Sequence, residues 1–468
     1  MKIAMQLTRL SFIGLIVSAA ACTSIPDDAG VGPVQELVDA QIGTDNPASR
    51  LEPENALRPE QVSSLLEAPL SVDDAELLSM QLNPLARSNL LRVGIAEADY
   101  AQAGRLRNPG FTYERSEEGE YGASLLFDIG GLLLMPLRRE VELRRLEAAR
   151  FDAAGEVISH LANTRMAWIR AVTEKQLTEL MEHSLESTAT ANDMTRQMTA
   201  LGHSAAMEAA ESEIFLGEMR SALTRQRLAE TAAREALIRQ LGLWGDAVRK
   251  LTLPSRLPAL PESPLDYPSV EGEAIAGRLD VQIAKATIEA MASNYSLTRR
   301  SPFLSSIEFG PVMEKGDEDT EYGYELEFSI PIFDAGGIAN EKARFLFEQS
   351  QDQARSVAIS AASEAREAYQ TYRSYWDIAR YYENVMLPLR QQVSEERLLH
   401  YNGMLISVFD LLDDVRAAAD LEASAIRAVR DFWLADARLQ LALTGSSPGM
   451  AMNTNVEMPA AGGADADH

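Results

Sequence analysis

Cysteine, basic residues and aromatic rings are scarce in this chain of 468 residues, and each shortage excludes a class of protein. The single cysteine, Cys22, rules out an intrachain disulfide framework. Only 43 Lys and Arg stand against 70 Asp and Glu, which gives a formal net charge of −27. Because phosphate binding needs a basic face, this balance argues against nucleic acid as a partner. Aromatic residues make up 6% of a chain that is 46% apolar, as suits closely packed helices.

Motifs of familiar catalytic chemistry are missing as well. The five histidines lie in no HExxH or paired-cysteine context, and no glycine-rich phosphate loop follows a strand pattern. We therefore expect no catalytic residues, no cofactor and no resident metal, and we do not expect an enzyme.

Glycine and proline are absent from long stretches of the chain. Neither occurs in Ile338–Leu387, a run of 50 residues, or in Met404–Thr444. A helix of 50 residues reaches ~75 Å, which exceeds the width of an ordinary domain. Glu156–Leu201 is uninterrupted in the same way in the first half. These runs predict long antiparallel helices that turn back at Gly202 and Gly403.

A short alternating segment precedes the longest of these runs. In Tyr322–Phe333, apolar side chains alternate strictly with Gly323, Glu325, Glu327 and Ser329. Alternation over ~9–11 residues is the pattern of a transmembrane β-strand. Three further segments alternate less strictly and are predicted to be strands: Phe111–Arg115, Tyr121–Ile129 and Phe303–Gly310.

Four strands cannot close a barrel that has a lumen, and open sheet edges cannot sit in lipid. If these strands span a membrane, several protomers must therefore share one barrel. The polar faces of the strands would then line its interior, with Glu308, Glu325 and Glu327 pointing inward.

The two halves of the chain repeat the same order of features. Pro109 and Pro302 are 193 residues apart, and Gly131 and Gly337 are 206 apart. The proline-rich linker between the halves has five prolines in Leu253–Pro268. We assign residues 76–250 to the first repeat, 251–272 to the linker, 273–446 to the second repeat and 447–468 to a disordered tail.

The N-terminus reads as a targeting segment. Lys2 and Arg9 precede the apolar run Leu10–Val17, which is too short to span a membrane and ends in Ser18-Ala-Ala-Ala-Cys22. This resembles a bacterial lipoprotein signal, with Ala19 where leucine is usual. Residues 1–21 are then a signal peptide, Cys22 is the lipidated first residue, and 22–75 form an extended tether with one short helix. The alternative is an ordinary signal peptide with an incidental cysteine.

Several segments together resemble the TolC family of outer-membrane factors, the exit ducts of tripartite efflux and type I secretion systems. Ile330–Gly337 resembles the family's strand-to-helix motif, and Arg278–Gln282 resembles the start of its second repeat, with Leu279 in place of proline. Asn108-Pro109 matches the first repeat, and Tyr401–Asp413 resembles the second helical turn. The resemblance covers roughly residues 65 to 445. Asp128–Arg138 departs from the family's sequence motif at the first strand-to-helix junction.

This resemblance implies a mainly α-helical fold with a small transmembrane β part. Three protomers would share a twelve-stranded barrel in the outer membrane of a Gram-negative bacterium, and long antiparallel helices would form a periplasmic α-barrel. The function implied is passive export from an inner-membrane pump of RND or ABC type through a periplasmic adaptor protein. Gly202, Tyr401 and Gly403 would form the tip that docks the adaptor. The partners implied are two further copies of the chain, the adaptor, the pump and outer-membrane lipid.

The resemblance also places a periplasmic gate. In the family, acidic residues just after the second helical turn narrow the tip and hold cations, and Asp410 and Asp413 occupy the matching positions. A spacing of three puts both carboxylates on one helix face, so three copies would stack six of them. Such a ring attracts cations and repels anions. Without the resemblance, the pair reads as ordinary solvated surface acids.

Two other interpretations stay open at this stage. The chain could be a structural coiled-coil lipoprotein without channel activity, although the alternation in Tyr322–Phe333 argues against it. Soft ligands also gather near the predicted turns, and thioethers with imidazoles suit copper or silver. The residues concerned are His203, His400, Met194, Met198, Met207 and Met404. Polar turn residues and helix-packing methionines account for the same pattern.

Overall fold

A computed structural model describes residues 26–43, 51, 57–115, 120–304, 307–316, 319–328 and 336–445 of the chain. Up to the linker, the elements are α1 (Val31–Ile42), α2 (Pro59–Leu65), α3 (Val72–Leu82), α4 (Pro84–Ala103), β1 (Gly110–Arg115), β2 (Tyr121–Asp128), α5 (Ile129–Ala200), α6 (Ala206–Leu241) and α7 (Asp246–Lys250). After it come α8 (Val270–Gly277), α9 (Leu279–Leu304), β3 (Glu308–Lys315), β4 (Thr320–Glu327), α10 (Gly337–Tyr381), a π-helical turn (Tyr382–Met386), α11 (Leu387–Asn402) and α12 (Val408–Thr444).

The long uninterrupted runs form long helices, as the sequence predicted. α5 has 72 residues, which corresponds to ~108 Å. The second long helix is divided by its π-helical turn into α10 and α11, and Pro388 follows that turn directly. Because proline has no N–H to donate, a local change in hydrogen bonding at this point is expected.

The helices form one layer around α5. On the side nearer the strands, the neighbours follow the order α4, α5, α9 and α10. Towards the tips, α6 packs on α5, α5 packs on α12, and α12 packs on α10 and α11. The two largest apolar clusters lie where α3, α5, α6 and the linker meet and where α1, α4 and α5 meet. A third cluster lies where α10 and α12 meet. α5 therefore packs against helices of both repeats.

The four strands form one antiparallel sheet in the order β1-β2-β3-β4. In the central register, Phe309 faces Phe127 on one side and Leu326 on the other. Sheet register thus gathers most of the apolar side chains of the four strands on one face. The opposite face carries small and acidic residues, together with Leu126 and Val312. The alternation predicted from Tyr322 onward is present over the described strand Thr320–Glu327.

The third strand was predicted in the wrong place. The sequence suggested Phe303–Gly310, whereas α9 continues through Pro302 to Leu304 and β3 begins at Glu308 and runs to Lys315. β3 includes Pro311, opposite Tyr324. The prediction followed the alternation of Phe303, Ser305, Ile307 and Phe309. An inner strand that contains proline is unusual, because proline is normally confined to edge strands.

The extended tether predicted for residues 22–75 also needs correction. α1 buries Val31, Val34 and Val38 against α4 and α5, and Gln41 Nε2 donates to the Gly277 carbonyl at 3.0 Å. The valine spacing of three and four residues places these side chains on one helical face. The short helix predicted near Pro59–Leu66 is present as α2.

The linker is held against the second repeat by hydrogen bonds to aromatic side chains. Trp433 Nε1 donates to the Pro258 carbonyl at 3.1 Å, and Trp376 Nε1 donates to the Pro261 carbonyl at 3.2 Å. Further along, the Leu265 amide donates to the Tyr372 hydroxyl at 3.0 Å. Proline-rich carbonyls find few backbone partners, so these side chains fix the linker across α10 and α12.

The motif Arg278–Gln282 builds a buried ion cluster at the start of the second repeat. Arg278 is 1% exposed and donates to both carboxylate oxygens of Asp280, at 3.0 and 2.6 Å. Its third nitrogen donates to Glu364 on α10 at 2.9 Å and to the Ala442 carbonyl on α12 at 3.2 Å. A charge removed from water needs such complete pairing. This arginine therefore joins α9, α10 and α12.

Candidate gate and docking site at the helical tip

The first helical turn-back is closed by a glycine, as predicted. Gly202 has a φ of +78°, a left-handed conformation that glycine adopts without steric cost. The His203 amide donates to the Met198 carbonyl at 2.9 Å, which completes the last turn of α5. α6 then begins after Ala205, whose amide donates to the Glu208 carboxylate at 3.1 Å.

The second turn-back has the same hydrogen bonding, one residue later than expected. Gly403 has a φ of −81°, and the left-handed residue is Met404, with a φ of +57°. The Leu405 amide donates to the His400 carbonyl at 2.9 Å. Gly403 was therefore correctly placed at the turn but does not supply its left-handed conformation. Tyr401 is half-buried in the last turn of α11.

Superposing the two turns by their left-handed residues reveals an acidic correspondence that sequence reasoning missed. One separation of 202 residues relates Gly202 to Met404, Glu208 to Asp410 and Glu211 to Asp413. Pairing the two glycines instead gives a separation of 201, which hides the match. The tip thus presents an acidic pair at the start of both returning helices.

Asp410 contributes to the cap of α12, in addition to its predicted role in the gate. Its carboxylate accepts hydrogen bonds from the Ser407 amide at 2.9 Å and from the Ser407 hydroxyl at 2.7 Å, which caps α12. The hydrogen bonds from the Ser407 side chain and amide lower the pKa of Asp410 below its ordinary value of 3.8. The Asp410 side chain therefore stays ionised and exposed at the tip.

Asp413 is exposed one turn further along α12, on the same face as Asp410. The neighbouring Asp414 points the other way and is 3% exposed. Its carboxylate forms an ion pair with Arg390 and a second with Arg397, whose Nε lies 3.2 Å away. These three residues, the Asp414 clamp, fasten α11 to α12.

The predicted lumen acids lie together on the small and acidic face of the sheet. Glu308 pairs with Glu327 on one side and with Asp128 on the other, so three carboxylates stand in one row across β2, β3 and β4. Glu325 lies on the same face, opposite Gly310. Asp128 was not predicted, although an Asp before Gly-Gly is a recognisable helix cap. Its Oδ1 accepts the Gly131 amide at 2.5 Å at the start of α5.

Some predicted positions fall outside the described residues. Cys22 and the tail beyond 445 are among them, as are residues 329–335 of the strand-to-helix motif. Among the described residues, no group of three or more His, Cys, Asp or Glu side chains could hold a metal ion. None of the described helices has the length and hydropathy that crossing a membrane requires.

Solved structures with the same arrangement identify the fold. CusC matches with a TM-score of 0.65 at 17% identity, over 83% of this chain and 92% of that one. The outer-membrane channel OprN matches with a TM-score of 0.67 at 15% identity, over 86% and 96%. The CmeC outer-membrane channel of Campylobacter jejuni matches with a TM-score of 0.67 at 13% identity, over 82% and 85%.

This chain has the fold of the TolC-family outer-membrane channels. No protein-family model and no curated protein matches the sequence. Identities of 13–17% carry the fold but not the activity, so the function rests on the surfaces described above.

Proposed function

We propose that this protein is the outer-membrane exit duct of a tripartite efflux or type I secretion system. It would let substrates pass passively from an inner-membrane pump of RND or ABC type, through a periplasmic adaptor protein, to the exterior. In this proposal the chain is a channel and not an enzyme, it works as a homotrimer, and Cys22 anchors it to the outer membrane through lipid.

The two-faced sheet is the observation that carries this proposal. Its apolar face exposes Phe111, Tyr113, Tyr322, Tyr324 and Leu326, with exposed fractions of 56–79%. In a single protomer, these large apolar side chains are exposed to solvent, and the opposite face of the sheet is acidic. A lipid surround and a water-filled lumen fit the two faces respectively. β1 and β4 are end strands with one neighbour each, and such edges require further copies of the chain in lipid.

The layer of helices, like the sheet, has two edges that expose apolar side chains. Leu85, Leu91 and Ile95 are 64–65% exposed on α4, at one end of the layer. On α10, at the other end, Ile338 and Ile359 are 83% and 71% exposed. Contact between the α4 edge of one copy and the α10 edge of the next is heterologous and generates a ring. With four strands per protomer, three copies give the twelve strands expected of the family.

At the opposite end of the molecule, the tip supplies the gate and the docking surface. The acidic pair Asp410 and Asp413 would narrow the entrance and select cations, and Glu208 and Glu211 would extend this negative ring. Gly202, Tyr401 and Gly403 shape the two turns that would meet the adaptor. In the barrel, Glu308, Glu325 and Glu327 would keep the lumen acidic.

Single-channel conductance in planar bilayers tests the proposal. The purified protein should give a cation-selective conductance, and an Asp410→Asn/Asp413→Asn double variant should show a weaker cation preference, since the other acidic residues remain. Ser407→Ala is the matched control, because it removes the α12 cap without removing a gate charge. Cation preference that is unchanged in the double variant would discard the gate and keep the duct. A folded trimer without any conductance, in wild type and variant alike, would favour a structural coiled-coil lipoprotein.

A further inference from the structure

A groove runs between the two turns of the tip, and its lining is rich in soft ligand atoms. Its volume is about 530 Å³. Met198 and His203 line it from the first turn, and Met404 and Tyr401 line it from the second. Of the six soft residues near the tip, Met198, His203 and Met404 line the groove. Its lining therefore includes two thioethers and one imidazole, which come from two separate helical turns.

Met404 holds its place at a conformational cost. A residue with a side chain is uncommon at φ +57°, and the corresponding residue of the first turn is Gly202. Such a conformation is strained for a residue with a side chain, and it persists where the surroundings or a function maintain it. The Met404 side chain is 93% exposed, so packing within the protomer does not compensate for the strain. A thioether displayed at a site that suits glycine points to a use for the sulfur.

The hard ligands of the groove are already engaged. The Glu208 carboxylate accepts the Ser204 hydroxyl at 2.5 Å and the Ala205 amide at 3.1 Å. On the other side, Ser407 lines the groove, and its hydroxyl donates to the Asp410 carboxylate at 2.7 Å. These capping contacts keep the carboxylates as helix caps and as a source of negative potential. The sulfur atoms and the imidazole are then the donors best placed to hold an ion.

We propose that the tip groove binds a soft monovalent metal ion, Cu(I) or Ag(I), through Met198, Met404 and His203. Thioethers select soft ions, and imidazole is a good partner for copper. Methionine has three rotatable side-chain bonds, so two sulfur atoms can adjust to one ion across an open groove. A bound ion would join the first turn to the second. The binding site itself does not depend on the proposed export function, although an ion held there would lie at the entrance of the duct.

Titration with Ag(I) in a chloride-free buffer, followed by calorimetry, tests this inference. The background is the full-length chain without a histidine tag, with Cys22 changed to serine and the tail residues Met450, Met452 and Met458 changed to leucine. We expect one Ag(I) per chain. Met198→Leu, Met404→Gly or His203→Gln should each weaken binding at least tenfold.

Two further methionines provide matched controls. Met194 and Met207 are exposed near the tip but do not line the groove, so Met194→Leu and Met207→Leu should leave the affinity unchanged. Met404→Gly also relieves the left-handed strain, so its loss of binding cannot be attributed to a damaged turn. Equal affinity in wild type and Met404→Gly, or equal weakening in the control variants, would overturn the proposal. Conductance of the silver-free protein tests the duct separately.

Discussion

Replacing Asp414 by Asn should loosen the tip of the second helical hairpin without unfolding the protein. The carboxylate is 3% exposed and holds two arginines, Arg390 with a side chain 19% exposed and Arg397 with one 43% exposed. Breaking a buried ion pair by removing one partner costs ~3–5 kcal/mol, because a charge is left uncompensated. Here water reaches Arg397 and partly reaches Arg390, so we reduce the expected cost to about 2 kcal/mol.

This cost should appear locally. α11 has no buried residue and contacts α12 and the π-helical turn but no other described element to a comparable extent. Local opening of α11 therefore breaks few other contacts. A cost of about 2 kcal/mol raises the opening equilibrium about 30-fold, since ~1.4 kcal/mol corresponds to a factor of ten.

Hydrogen–deuterium exchange with peptide resolution measures this effect. Amides in Leu387–Asn402 should exchange about 30-fold faster in Asp414→Asn, while amides of α5 around Trp168 should be unaffected. Asp413→Asn is the matched control, because it removes an exposed carboxylate from the adjacent position. Equal exchange in Asp414→Asn and wild type would refute the reasoning that the clamp, and not apolar packing, holds α11.

Three further outcomes follow from single sites. Burial lowers the pKa of the His160 imidazole below its ordinary value of 6.5, so the native state resists protonation. The free energy of unfolding should therefore fall as pH drops below about 6.5. Thermal denaturation of His160→Gln should show a weaker pH dependence than that of wild type. Gly202→Ala places a side chain at φ +78° and should destabilise the first turn by about 1 kcal/mol, seen as faster exchange near residue 202 and not at residue 404. Cys22→Ser should abolish labelling with radioactive palmitate while leaving trimer formation intact, and continued labelling would place the lipid elsewhere.

Helices, strands and turns that depend on neighbouring residues in the sequence could be predicted from the sequence. The absence of glycine and proline marked α10, α12 and the part of α5 that follows Gly155, and strict alternation marked β4. The first part of α5 contains Gly130, Gly131 and Pro136, so this pattern did not predict that the helix begins at Ile129. Gly202 was recognised as a turn because it ends a run of 46 residues without glycine or proline. These elements report local backbone preference, which the sequence carries directly.

Features that depend on partners in space could not be predicted in the same way. Two helical turns look alike only when Gly202 is matched with Met404, and methionine carries no signal for a left-handed conformation. The row of Asp128, Glu308 and Glu327 required the sheet register, which brings together residues from three strands. Asp414 is one residue from Asp413 in the sequence, yet only the packing of α11 showed that one is buried and the other exposed.

The distribution of apolar and polar contacts along the helices also bears on where the molecule can move. Buried apolar clusters extend along α5 as far as Leu177, with Leu180 packed against the last of them. Closer to the tip, the buried positions of α5 are Thr188, Asn192 and Thr195, and the Asn192 amide donates to Glu213 on α6 at 3.0 Å.

On the second hairpin, the corresponding end is held by the Asp414 clamp and begins at the π-helical turn. Polar seams of this kind contribute less stability than apolar ones and open at lower free energy. Leu216 on α6 is buried in the same stretch, so the seam near the tip is mixed and not wholly polar. The larger apolar clusters lie further from the tip. We therefore expect rearrangement to be concentrated at the end where a gate would have to open.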